Sequence, residues 1–360
     1  MYQFSVPMPY YKEDIDKVIS INKEIEQSRI SSLYFSLSSS SELFTGFEQY
    51  RNEYAKDWDY WKKLISYSQD KGFELVYLLN RPNSASNDEQ GLKIQLYKLD
   101  NLLNEFRKIG LNKLRISDHQ LLSYLNIKYP DFILYASTSF EYKQIGEYTN
   151  FVKFHPYIKQ IVPSQDSNKN FLLLKNLIKM LPNTQIEILA NEGCLLNCHL
   201  RMFHGSCQDN NHQNIFSYKY YINECREFCR KNISIFERLT KSNIIYPWEI
   251  KEYAKIGIKN FKLSGRDNFP LQTNSLINTY FYYLKCIECF EDAKNLSLDT
   301  FISKLRNNEI VSRLTVKDCK KYLPDIKHFV KFGHLCASRC GVECRYCYRC
   351  AEKIQAHFKA

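Results

Sequence analysis

The chain has 360 residues, 44% hydrophobic and 25% charged, with a formal net charge of +11. That length suits one large barrel with an appendage, or two modest domains. There is no run of about 18 apolar residues, which excludes a membrane-spanning helix. The opening MYQFSVPMPYYKEDID lacks a basic stretch followed by an apolar one, so a cytoplasmic protein without a secretory leader is expected.

Strand-like and helix-like segments alternate along the first 290 residues. Residues 30–37 (ISSLYFSL) read as a strand and 54–69 as a helix; 73–80 (FELVYLLN) as a second strand and 90–108 as a helix. Residues 113–117 (KLRIS) and 132–137 (FILYAS) follow as strands three and four, with helices over 119–129 and 141–150. Strands five and six are 158–163 (IKQIVP) and 185–191 (QIEILAN), separated by a helix over 171–181. Residues 243–247 (NIIYP) and 259–264 (KNFKLS) complete the set, with helices over 249–256 and 271–290. Short apolar runs rich in β-branched and aromatic residues suit parallel strands buried on both faces. Eight such units predict a (β/α)8 TIM-type barrel. An open doubly wound sheet is disfavoured, because no Gly-rich phosphate loop follows the first strand.

Two segments break the alternation. Residues 192–242, after the sixth predicted strand, are far longer than an ordinary βα loop and hold five cysteines. Insertions at the C-terminal end of barrel strands are where such folds place function. Residues 291–360 form a basic, cysteine-rich C-terminal appendage. The expected organisation is thus a barrel over 1–290, including the insertion, followed by that appendage.

The 13 cysteines are unevenly spread: none precedes Cys194, and five lie between Cys336 and Cys350. Clustered thiols in a large reduced protein read as metal ligands rather than as a disulfide framework. Cys194 and Cys198 lie four residues apart, as do Cys225 and Cys229, and such pairs can share a metal. Cys336, Cys340, Cys344 and Cys347 supply four more thiols. The candidate cofactor is one or two four-iron clusters, with zinc as the alternative, using His199 or His204 alongside the cysteines. Cys340, Cys344 and Cys347 show the C-x3-C-x2-C spacing of radical S-adenosylmethionine enzymes, but that motif belongs early in a barrel and here only 13 residues follow it. Cys286 and Cys289, in an apolar helix, read as packing residues.

Residues 311–360 carry eleven Lys and Arg against four Asp and Glu. This points to a polyanionic partner such as RNA, or to positive charge that favours thiolates. At the strand ends, Asp118, His119, Glu192, Arg201, His204 and Glu249 are pocket candidates, although an acid or histidine there could equally serve a helix N-terminus. Lys262, in an otherwise apolar strand, calls for an anionic partner, and with Arg266 it suggests a carboxylate site.

The strand end ANEGC, followed by Cys194, Cys198, Arg201 and His204 in a C-x3-C-x2-R-x2-H run, resembles the collagenase-like peptidase U32 family. The segment IIYPWEIKEYAKIGIKNFKLSGR strengthens the resemblance, which covers about 185–266; the cysteine-rich tail lies outside that pattern. The resemblance implies an oxygen-independent modification protein with a four-iron cluster, Cys194 and Cys198 among its ligands, hydroxylating RNA bases or acting in anaerobic ubiquinone hydroxylation, with prephenate as oxygen donor. A small carboxylate, a peptide or an RNA would be the partner. Two other readings stand beside it. One is a peptidase or other hydrolase, although neither a Gly-x-Ser-x-Gly elbow nor a His-Glu-x-x-His helix occurs. The other is a non-catalytic, metal-stabilised binding or maturation partner for RNA or protein.

Overall fold

In the computed structural model, residues 1–37, 57–80, 88–191, 193–201, 233–265, 273–289 and 321–359 are described. Eight parallel strands close into a barrel in the order β1 to β8. They are β1 (Tyr2–Pro7), β2 (Ser28–Phe35), β3 (Glu74–Leu79), β4 (Lys113–Ile116), β5 (Ile133–Ala136), β6 (Gln160–Ile161), β7 (Gln185–Leu189) and β8 (Asn260–Lys262). Helices α1 (Lys12–Glu24), α2 (Trp58–Asp70), α3 (Glu89–Lys108), α4 (His119–Lys128), α5 (Ile145–Phe154) and α6 (Phe171–Met180) alternate with the first seven strands. Then come α7 (Ile235–Lys241), α8 (Ile250–Lys255) and α9 (Thr273–Glu288). The appendage contributes α10 (Ile326–Phe332), α11 (His334–Ser338) and α12 (Tyr346–Lys359).

The TIM-type fold is as expected, but one strand of the expected set is wrong and another was overlooked. The first strand is YQFSVP, which turns Phe4 and Val6 into the core under the helices and Ser5 into the barrel, where its hydroxyl donates to Glu187 Oε1 (2.7 Å). Residues 243–247 are not a barrel strand, because β7 pairs directly with β8, Glu187 opposite Asn260 and Leu189 opposite Lys262. They run instead as an extended linker across the end of β7, with Ile245 N–H bonded to the Ala190 carbonyl (2.8 Å). The cysteine-rich insertion therefore follows the seventh strand, not the sixth.

The main core lies between barrel and helices, and a smaller apolar group of Tyr34, Val76, Leu78 and Tyr135 lies apart from it. Alternation along each strand produces the two faces. The barrel interior is unusually polar. Arg115, 1% exposed, pairs with Glu187 (2.7 Å), donates to Gln160 and lies 5.9 Å from the Tyr135 ring. A buried pair of this kind costs desolvation on both ions, and removing one partner strands the other.

A thiol cluster beside a charged barrel mouth

The strand ends at the C-terminal mouth carry a network of opposite charges. Asp166 lies in the short 3-10 turn Gln165–Ser167, just beyond β6. Its buried carboxylate meets Arg201 (2.5 Å) and Lys143 (3.0 Å), and accepts the Asn197 backbone N–H (2.8 Å). Burial works against its charge, but Arg201, the Asn197 amide and Lys143 together hold the carboxyl below the ordinary aspartate value. Glu141 stands nearby in a left-handed backbone conformation (φ 52°) and accepts a hydrogen bond from Ser164 Oγ (2.7 Å). Burial lifts its carboxyl above the usual range, outweighing the Ser164 hydroxyl and the Arg201 charge. The mouth therefore holds two carboxyls pushed in opposite directions, an arrangement that separates an acid from a base.

The second half of the site is built by the appendage. Cys336 follows the turn between α10 and α11 and is 2% exposed. Gly341, at φ 85°, turns the chain so that its N–H reaches the Cys344 carbonyl (3.0 Å), and the backbones of Cys340 and Cys344 pair as an isolated parallel β-bridge with both thiols free. Cys347 and Cys350 sit one turn apart on α12, where i and i+3 share a face. Burial, and then the charges of Cys340 and Cys344, push the Cys336 thiol up to about 12. Burial also raises Cys347, with Cys336, Cys350 and Cys340 adding to it. Cys340 is raised by burial and by Cys344. The Cys336, Cys340 and Cys347 thiols are thus each raised by burial and, after it, by neighbouring cysteines. His328 Nε2 lies 3.5 Å from Cys344 Sγ, its ring stacked on Tyr346 at 3.8 Å. Burial, and then Arg349, lower its pKa, which favours a neutral imidazole.

The two halves meet at Asn197, between Cys194 and Cys198. While its backbone amide binds Asp166, its side-chain Nδ2 donates to the Cys336 carbonyl (2.6 Å). Asn197 has φ 54°, a conformation asparagine tolerates better than most residues. The insertion loop thus reaches the appendage directly. Arg201 closes the same loop by donating to the Leu195 carbonyl (2.6 Å), and the Cys194 charge acts on it.

A buried ion pair lies below this junction. Lys169 Nζ is 3.0 Å from Glu249 Oε2, and that carboxylate also accepts the Tyr246 N–H (2.9 Å). Lys169 counteracts the rise of both Cys336 and Cys347.

The candidates read from sequence fall in different places. Arg201 belongs to the mouth. Glu249 supports the junction through Lys169. Asp118 caps α4, accepting the Leu121 N–H (2.9 Å). His119 packs between α4 and α5, with Nδ1 3.1 Å from His155 Nε2 and Nε2 2.9 Å from the Tyr142 hydroxyl. Lys262 rests on the Tyr34 ring, 4.0 Å from its centroid, so an aromatic face contributes to the partner expected to be an anion. Cys286 is buried in the core, as its helix suggested. Glu192, His204, Cys225, Cys229 and Arg266 lie outside the described residues. Sequence reasoning missed Asp166, Glu141, Lys143, Lys169 and Asn197. Asp166 carried a signal, since it directly follows Gln165 beyond a strand end. The other four carried none, because their roles depend on partners distant in the chain.

Among the described residues, no three His, Cys, Asp or Glu side chains converge closely enough to hold a metal ion as they stand. The segment of Cys336, Cys340, Cys344 and Cys347 supplies four free thiols, the number that a four-iron cluster takes.

No family model matches the chain, and no curated protein does. Among solved structures, it resembles the U32 peptidase Mk0906, with TM-score 0.46 and 11% identity over 74% of this chain and 92% of that one. It also resembles a protein assigned to the dihydrodipicolinate synthase family from Coccidioides immitis, with TM-score 0.37 and 8% identity over 99% and 95% of the two chains. CpGH84B gives TM-score 0.37 and 12% identity over 84% and 71%. These likenesses carry nothing about chemistry.

Proposed function

We propose that this protein is an iron–sulfur-dependent modification enzyme, with Cys336, Cys340, Cys344 and Cys347 holding a four-iron cluster beside the substrate-binding mouth of the barrel. The observation that supports this reading is geometric: Asn197, between Cys194 and Cys198, donates to the Cys336 carbonyl, which brings the insertion loop and the cysteine-rich segment of the appendage together. A bound cluster would supply one-electron transfer. Arg201 and Lys143, fixed on Asp166, would orient an anionic substrate group. Glu141, whose carboxyl burial pushes upward, would be the group to hold a proton for it. Cys194 and Cys198, with Cys225 and Cys229, are the candidates for a second cluster. The reaction class proposed is oxygen-independent hydroxylation, or a related redox modification, of a peptide, an RNA or a small molecule.

Anaerobic purification followed by iron and sulfide analysis tests this. About four irons and four sulfides per cluster are expected, lost together with the visible absorption in Cys336→Ser/Cys347→Ser. One zinc per chain and no sulfide would remove the redox mechanism. His328 beside Cys344 favours that second reading, a structural zinc site, because a neutral imidazole joins thiolates readily around zinc.

A further inference from the structure

We infer that His119 and His155 form a proton-controlled clamp on the loop that carries Glu141 at the barrel mouth: closed while the pair shares at most one proton, open when both rings are charged. His119 is thereby a positioning residue for Glu141. The clamp belongs to the barrel and does not depend on what the thiols bind.

Glu141 stands between two residues that both rest on His119. The Phe140 ring lies 4.9 Å from the imidazole, and the Tyr142 hydroxyl is 2.9 Å from His119 Nε2. The two flanking rings stack on each other at 5.6 Å. The left-handed backbone of Glu141 (φ 52°) is costly for a residue with a long side chain and persists only where its surroundings impose it. The hold continues from His119 Nδ1, 3.1 Å from His155 Nε2, to His155 Nδ1, 2.7 Å from the Tyr157 hydroxyl. Phe151 of α5 packs against both imidazoles, at 5.6 and 5.1 Å. The start of α4, the loop after β5 and the chain beyond α5 are thus tied by one hydrogen-bonded chain.

A tyrosine hydroxyl, able to donate or accept, ends the chain on each side. With both imidazoles neutral, Tyr142 O–H donates to His119, His119 N–H to His155, and His155 N–H to Tyr157, so every ring nitrogen is satisfied. One added proton only turns Tyr142 from donor to acceptor. A second sets two N–H groups face to face across 3.1 Å, with both rings charged. Among the described residues, no carboxylate bonds either ring to relieve that repulsion. Asp118 caps α4, Glu147 accepts the Lys143 and Gln144 N–H groups, and Glu141 accepts the Ser164 hydroxyl. Lys143 pairs with Asp166, and Lys153 is exposed. Burial, and then the His119 charge, lower the His155 pKa. The folded pair therefore binds fewer protons than the unfolded chain, so the clamp is intact at neutral pH and weakens as pH falls below the ordinary histidine value of about 6.5.

Hydrogen exchange of the full-length protein tests the clamp. It is read by mass spectrometry on peptides spanning residues 138–142, between about pH 8 and pH 5, and corrected for the intrinsic rate at each pH. Wild type should be protected at neutral pH and lose protection by about tenfold per pH unit once the second proton binds. His155→Phe removes the opposing charge and should stay protected across the range. Glu141 and Asp166 titrate in that variant as in wild type, so the difference between the two belongs to the histidine pair. His119→Phe takes the partner from Tyr142 and should exchange faster at every pH. Wild-type protection that ignores pH, or the same pH dependence in His155→Phe, would overturn the clamp. Nitrogen-15 histidine resonances of the wild type keep the test open where a variant fails to fold. Two histidines titrating in separated, coupled steps support the clamp, and independent titrations at the ordinary histidine value refute it.

Discussion

The barrel mouth and the appendage solve the problem of buried charge in opposite ways. At the mouth, Asp166 is matched by Arg201, Lys143 and the Asn197 amide, so its charge is compensated within the chain. In the appendage, burial pushes the Cys336, Cys340 and Cys347 thiols upward and neighbouring cysteines add to it. The first arrangement is stable as it stands. The second gains most from a bound cation, because ionising one of these thiols makes ionising the next harder.

Removing the ligands is the strongest way to break this contrast. Cys336→Ser/Cys347→Ser should abolish metal retention and expose the segment around 333–350 to protease while the barrel's circular dichroism persists. Digestion that spreads equally into the barrel would show that the two regions are not separate in stability. The next effect is in the barrel itself. Arg115→Met should cost about 3–5 kcal/mol of unfolding free energy, because it leaves Glu187 buried and unpaired; denaturant titration measures it. Gly333→Ala comes third, at about 1–3 kcal/mol, because the added carbon meets backbone that cannot swing away. It should loosen the appendage and lower metal retention without changing the barrel's unfolding midpoint.

The smallest effect sharpens the comparison within the mouth. Asp166 has a lowered folded pKa, so its stabilising contribution is present above its unfolded value and is lost as pH falls through the folded one. Glu141 has a raised folded pKa, so its contribution is full below its unfolded value and is lost as pH rises through the folded one. Asp166→Asn should therefore destabilise most at neutral pH and converge with wild type in acid. Glu141→Gln should show its deficit in acid and narrow it toward neutral pH. Parallel profiles for the two variants, measured as unfolding midpoints across pH, would remove the acid–base division of the mouth.

Residues with local signatures were legible in the sequence. Helical periodicity placed α3, α4 and α6 to within a residue or two, and the cysteine spacing marked the appendage. β1 was overlooked because two prolines at Pro7 and Pro9 obscure its short alternation. The linker 243–247 reads as a strand because IIY has strand composition, although pairing of β7 with β8 leaves it no place in the sheet.

The chain alone determined the alternation that closes the barrel and the grouping of its thiols, since both arise from near-neighbour patterns of burial and spacing. Tertiary structure decided which charges meet. Asp166 finds Arg201 and Asn197, Lys169 finds Glu249 80 residues away, and Asn197 finds Cys336 139 residues away. Each of those partners is chosen by how the barrel seats its loops and appendage, a choice that no local pattern encodes.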